Sequence, residues 1–238
     1  MRDYVPQNSH EERLTGHLIS ELAGSLAIIQ RRFMREAEHL YGKPLGLQFY
    51  YADMSANRME PHTGADFALI LHLNLPDYGE HVRAIVCQAK KLGSRARIET
   101  GQLDRLIAWA DEGAYYCFYD MNVARCAPLV VKAGSVKEGL GGSPNRHSLA
   151  RQHIIEEWPP GPCAPLSVFL VFRLLNMALD VGKSFTNLRA ATKHVSQGPG
   201  GDGPGTSRIL LVSLGGPSPQ QDITSLAGLF PFRPYEEE

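Results

Sequence analysis

Asp66, Gln88, Lys90 and Glu11 are the side chains whose types and spacing could do chemistry together. Asp66 opens the apolar run Asp66-Phe67-Ala68-Leu69-Ile70-Leu71-His72-Leu73. Gln88-Ala89-Lys90 closes the run from Val82 to Lys90. Both runs have the length and composition of strands, and Pro76-Asp77-Tyr78-Gly79 reads as the turn between them. If the hairpin is antiparallel, the start of one strand lies beside the end of the other. Residues two apart share a face, so Gln88 and Lys90 point the same way. A carboxylate, an amide oxygen and an ammonium then meet at one sheet edge.

That grouping suits a divalent cation and a phosphodiester. Magnesium prefers oxygen ligands, keeps several waters and is held by one or two carboxylates plus substrate phosphate. Asp66 would anchor Mg2+ (or Mn2+), and Gln88 and the carbonyl of Ala89 would add neutral oxygens. Lys90 would hold or deprotonate the attacking water and offset charge on pentavalent phosphorus. Glu11 adds a further carboxylate. It shares a helical stripe with Leu14, Leu18 and Leu22, whereas Glu12 is turned roughly 100° away. Glu12 stays open as the alternative, because helix starts shift by a residue or two.

These residues need positioning elements. Leu14, Leu18, Leu22, Leu26 and Ile29 predict a helix over residues 10–41, with Ser9 as N-cap. Gly16 and Gly24 weaken it and allow a break near Gly24. Strands are expected at 45–54, 66–74, 82–90, 114–120 and 129–131, with an amphipathic helix at 100–110. Residues 133–146 read as a glycine- and serine-rich loop. Helices are expected at 167–181 and 185–195, a flexible stretch at 198–205, and a last strand at 208–214. The order through residue 120 is helix, strand, strand, strand, helix, strand. A core over 8–132 and a C-terminal α/β extension over 133–238, packing on the same domain, follow from this.

The chain has 238 residues, 43% hydrophobic and 21% charged, enough for one domain with a proper core. Its net charge is -1, so a nucleic-acid partner needs a local basic patch. Lys91, Arg95 and Arg97 supply one next to Lys90. The four cysteines lack CxxC spacing, and Cys87 and Cys117 sit in apolar runs as small buried thiols do. The N-terminus lacks the apolar stretch of a signal peptide, and residues 166–179 are too short and too polar to span a bilayer. The expectation is a cytoplasmic protein with no membrane partner.

In this order of elements the motifs resemble the PD-(D/E)xK superfamily of restriction-endonuclease-like proteins. The Gln-x-Lys form is similar to its Mrr-like branch. The wording is closer still to an uncharacterised bacterial family associated with defence: Glu11 with Thr15, Gly64-Ala65-Asp66, Gln88-Ala89-Lys90, Gln102-Leu103-Asp104, and the aromatic run Tyr115 to Tyr119. The resemblance implies an αβββαβ core with a central mixed sheet flanked by helices. It implies that Asp66, Gln88 and Glu11 bind metal, that Lys90 is catalytic, and that Gln102 lies near the site. It further implies an endonuclease acting on DNA rather than RNA, in anti-phage defence, with a homodimer or a defence-system partner. The alternative is a degenerate module of the same fold that only binds or assembles. Gln88 stands where an acidic residue is commonest, which removes one negative charge from the metal site.

Ordinary readings stand beside these. Asp66 can cap a turn, Gln88 and Lys90 can be edge-strand polar residues, and a charge run is usually a solvated face. His62 and His72 read as turn and surface residues. No GxSxG elbow supports serine catalysis, no Gly-Lys-Ser/Thr follows the 198–205 glycines, and Tyr115 to Tyr119 read as sheet core.

Overall fold

The computed structural model describes residues 11–42, 45–53, 63–75, 77, 79–121, 128–141, 148–155, 163–174, 176, 181–198, 205–215 and 233–234. The chain opens with α1 (Glu11–Tyr41), followed by β1 (Gly46–Asp53), β2 (Ala65–Leu75) and β3 (Gly79–Leu92). A short β4 (Arg95–Arg97) leads to α2 (Thr100–Ala110) and then β5 (Ala114–Asp120). Next come β6 (Leu129–Lys132), α3 (Ala133–Gly139), β7 (Ser148–Ala150), α4 (Arg151–Ile155) and β8 (Cys163–Pro165). The last elements are α5 (Leu166–Val168), which continues as a π-helix over Phe169–Leu174, then β9 (Lys183–Phe185), α6 (Leu188–Ser196), β10 (Thr206–Gly215) and β11 (Arg233–Pro234).

The protein is an α/β structure built on one mixed sheet. Its strands run β11-β1-β10-β2-β3-β5-β6-β8, and β9 pairs with β3 off that path. The β2–β3 hairpin is antiparallel, with Phe67 opposite Cys87 and Leu75 opposite Gly79. β3 and β5 are parallel, with α2 as the connection between them. β10 lies between β1 and β2, antiparallel to the first and parallel to the second. The strand expected at 208–214 is therefore internal to the sheet and keeps β1 and β2 apart.

Alternation along the strands sorts the core into two faces. Even-numbered residues of β2, β3 and β5 (Ala68, Ile70, Val82, Ala84, Val86, Tyr116, Phe118) join Leu103, Leu106 and Trp109 of α2, Val136 of α3, and Leu188, Ala191 and Val195 of α6. Odd-numbered ones (Phe67, Leu69, Ile85, Cys87, Ala89, Cys117) meet Leu14 and Ile19 of α1. Leu103, Leu106, Trp109 and Ala110 make one buried stripe on α2, as the 3.6-residue period requires.

Four expectations are corrected. α1 runs unbroken through Gly24, since packing on the sheet outweighs about 1 kcal/mol of glycine propensity. Residues 133–139 form α3 rather than loop, because Ala133 and Val136 bury against the core, and burial overrides the weak propensity of Gly134, Ser135 and Gly139. The helix expected at 167–181 ends its described course at Leu174, in π geometry; residues 175 and 177–180 lie outside the described residues. The helix expected from 185 starts at Leu188, where Asn187 caps it by accepting from the backbone N–H of Ala190 at 2.9 Å, and Phe185 ends a strand instead. Ser9, His62 and residues 199–204 lie outside the described residues. Among those described, no helix is long and apolar enough to cross a membrane.

Candidate functional site

The turn entering β2 is built first. Gly64 has φ +76°, and a Cβ there would stand 3.1 Å from the carbonyl oxygen of Gln102. Only glycine combines that backbone with so close an approach. Thr63 Oγ1 accepts from the N–H of Ala65 at 3.2 Å and donates to the carbonyl of Gly205. Asp66 is thereby held at the strand entry, with Gln102 of the first turn of α2 against Gly64.

Asp66 lies one step beyond the Phe67–Cys87 pair, and so stands opposite Gln88 on the same face. Its Oδ2 accepts from Gln88 Nε2 at 2.6 Å and from the N–H of Ala89 at 2.7 Å. Two N–H donors on one carboxylate oxygen favour the ionised form. Gln88 is only 4% exposed, and its Oε1 is buried with no hydrogen-bond partner among the described residues. A buried oxygen left unpaired costs about 1–3 kcal/mol. Lys90, two residues on, shares this face and is half-buried.

Two more buried oxygens lie on elements next to β2 and β3. Gln102 Oε1 has no hydrogen-bond partner among the described residues, and its backbone packs on Gly64. Tyr116 is the register partner of Gln88 on β5, so it shares the Gln88 face. It is 0% exposed, and its hydroxyl likewise has no hydrogen-bond partner among the described residues. Burial first, then the negative charges of Asp66, Glu99 and Asp104, push its phenol well above the usual tyrosine range. Reading Tyr115 to Tyr119 as sheet core missed this hydroxyl. The signal available was topological: the helix at 100–110 implies a parallel crossover, which puts the aromatic strand beside Gln88 with every second residue on its face.

Other expected residues fall elsewhere. Lys91 projects to the opposite face from Gln88 and Lys90, the face of α1, because adjacent strand residues alternate. Its register partner Tyr119 donates to Thr15 Oγ1 of α1 at 3.3 Å. Arg95 and Arg97 sit exposed on β4, beyond the end of β3, with Ala96 buried between them. Arg95 Nε donates to Ser148 Oγ at 2.9 Å. Glu11 begins α1, one turn before Thr15, but its side chain and that of Glu12 lie outside the described residues. The patch is therefore divided: Arg95 and Arg97 keep to the site end of the sheet, and Lys91 turns away. Cys87 and Cys117 are buried free thiols on the α1 face. Burial pushes both up, Cys117 to about 12, so neither is poised as a nucleophile.

The donor set can be tested against Mg2+ or Mn2+. Among the described residues no group of three His, Cys, Asp or Glu gathers. What Asp66 offers is one carboxylate, bonded to an amide whose own oxygen, Gln88 Oε1, is buried and unpartnered among the described residues. Both are hard oxygen donors, and magnesium sites of this sparse kind draw their remaining ligands from water and substrate phosphate. The pair fits such a cation.

A second polar chain lies at the far end of β2. His72 Nδ1 is 2.9 Å from Ser213 Oγ, and its Nε2 is 3.2 Å from Glu80 Oε1. His72 is buried, contrary to the surface placement expected of it; pairing β2 with β10 encloses a position that the hairpin alone would leave open. The order resembles a serine triad, but it runs the wrong way. Ser213 is 3% exposed and Glu80 is the outer member, whereas a nucleophile has to face its substrate. This chain ties three strands together.

Comparison of the chain with protein-family models, with curated proteins and with solved structures finds no match.

Proposed function

We propose that this chain is a metal-dependent endonuclease that hydrolyses phosphodiester bonds in DNA. The observation that carries the reading is the Asp66–Gln88 pair. A carboxylate oxygen lies 2.6 Å from an amide whose own oxygen is buried without a partner among the described residues, and a lysine follows on the same face. Asp66 and Gln88 Oε1 would hold Mg2+ or Mn2+. When bound, such an ion supplies Lewis acidity and a more acidic water. Lys90 would donate to a non-bridging oxygen as charge builds on phosphorus, while a water oxygen bonds to phosphorus, the bridging P–O bond opposite it breaks, and the proton the water loses passes through solvent to the departing oxygen. Arg95 and Arg97, beyond the strand end, would track the phosphate backbone. A restriction-endonuclease-like core and a role in anti-phage defence belong to this reading through the motif resemblance.

Supercoiled plasmid incubated with Mg2+ or Mn2+ tests it. The expected result is nicking by the wild type, reduced about 100-fold or more in Asp66→Asn and Lys90→Ala. Wild-type nicking no faster than that of either variant ends the catalytic claim.

One observation favours a second reading, a degenerate nucleic-acid-binding module. Both N–H donors on Asp66 Oδ2 come from the chain itself, so the carboxylate is stabilised without a cation. That module would bind duplex in a salt-sensitive way, and binding would survive Asp66→Asn with no cleavage by the wild type.

A further inference from the structure

The entry to β2 is tied to a point 142 residues further along the chain. Gly205, the residue before β10, has no room for a side chain: a Cβ there would overlap the carbonyl oxygen of Val195 and stand 2.9 Å from the Trp109 ring. Its N–H donates to the carbonyl of Ser196 at 2.9 Å, and Thr206 Oγ1 donates to that of Val195 at 3.2 Å. The Gly205 carbonyl is thus fixed against the last turn of α6. Thr63 Oγ1 donates to it and accepts from the N–H of Ala65, the residue before Asp66. We propose that Thr63 is a positioning residue of the cation site, its hydroxyl coupling the α6–β10 junction to the backbone that carries Asp66. The inference rests on the reading of Asp66 and Gln88 as a cation site, and extends it by naming what sets the place of the carboxylate.

Asp66 is the second residue of β2, and the pairing of β2 with β10 begins at Ala65, opposite Thr206. The ends of elements fray most easily, so a ligand placed there depends on what lies just outside the ladder. Thr63 lies there, 0% exposed. Its side chain does for the strand entry what backbone pairing does further along. A hydroxyl both donates and accepts at one atom, and both capacities are used. The carboxylate itself is tethered to β3, through Gln88 Nε2 and the N–H of Ala89. If the backbone beneath it shifts while that tether holds, the angle at which Asp66 meets a cation changes. Ligand groups work only within roughly 0.5 Å of their place. Loss of the groups that orient ligands lowers metal affinity about 10–100-fold.

Thr63→Val keeps the shape of the side chain and removes both bonds. A spectroscopic Mn2+ titration well below Tm reads the affinity of the folded protein, which a loss of stability alone does not move. Thr63→Val is expected to bind Mn2+ about tenfold more weakly than the wild type, and Thr63→Ser, which restores the hydroxyl, within about twofold of it. A loss of less than about threefold in Thr63→Val overturns the proposal however far its Tm falls, because the hydroxyl then serves only the fold. A Thr63→Ser variant as weak as Thr63→Val overturns it too. If Thr63→Val does not fold, Thr63→Ala, which leaves room for a water, is held to the same threshold. Asp66→Asn identifies the site being read: if it binds Mn2+ as the wild type does, or the wild type binds none, the cation reading and the proposal both fail. If the wild type binds Mn2+ through Asp66 but never nicks plasmid, hydrolysis fails and the role of Thr63 is still decided by the titration.

Discussion

Asp66 and Gln88 face each other across β2 and β3, with the amide nitrogen 2.6 Å from the carboxylate oxygen. The amide supplies a donor to Asp66 where a second carboxylate would repel it. Gln88→Glu sets two carboxylates at that separation, and like charges so close disfavour joint ionisation. The expected variant is less stable by about 1–3 kcal/mol without cation. It binds Mn2+ about tenfold more tightly or better, because ligand charge raises affinity. Melting with and without Mn2+, with a spectroscopic Mn2+ titration, checks both effects. A variant that Mn2+ fails to rescue would remove Asp66 and Gln88 as a cation site.

Arg95 and Arg97 project from one side of β4 while Ala96 anchors the other. Their charges meet solvent, so removing them should leave the fold nearly intact, within about 0.5 kcal/mol. Each phosphate that a protein ceases to neutralise lowers the salt slope of DNA binding by about 0.9. Arg95→Ala with Arg97→Ala is thus expected to reduce that slope by roughly 2 when affinity is titrated against salt. An unchanged slope would place the DNA elsewhere.

Arg151 holds Asp120 through two nitrogens, Nε at 3.1 Å and Nη2 at 2.7 Å from Oδ2. The carboxylate side chain is 5% exposed and the arginine 31%. Breaking a fully buried ion pair costs about 3–5 kcal/mol; the partly exposed arginine brings the expected loss for Arg151→Ala to about 2–3 kcal/mol. Because Arg151 N also donates to Ser94 O at 2.9 Å, the pair secures β4 and β7 against the end of β5. Denaturant unfolding gives the energy, and duplex binding should weaken along with it if β4 carries the DNA contacts.

His194 is stacked on Trp109 at 5.1 Å and tilted against Phe185 at 5.2 Å. Burial first, then the charge of Lys183, lowers its pKa from 6.5 to about 4. The unfolded chain therefore takes up this proton before the folded one does. Its contribution is intact above the unfolded value and is lost as pH falls from 6.5 toward 4. The acid-side slope of Tm should be shallower in His194→Phe, which keeps the ring packing. Equal slopes in the two proteins would show that His194 does not hold it.

The elements that build the site were legible because their signals are local. Asp66, Gln88 and Lys90 sit where alternation and a turn put them, and α2 and β5 begin and end at the expected residues. Leu103, Leu106 and Trp109 carry the helix period without help from the rest of the chain. α3 was not legible, since its glycines and serine argue for loop and only contact with the core reverses that. The buried placement of His72 was likewise out of reach, because it depends on a strand more than a hundred residues away.

Sequence alone determined which residues form the β2–β3 hairpin and that a carboxylate meets an amide there, since strand period and antiparallel pairing are short-range rules. Tertiary structure decided the rest. It set β10 between β1 and β2, sent Lys91 to the α1 face, and placed Tyr116 opposite Gln88 in the register of β3 and β5. Those outcomes depend on which strands pair, and pairing is chosen by the burial of whole faces at once, which no window of the chain contains.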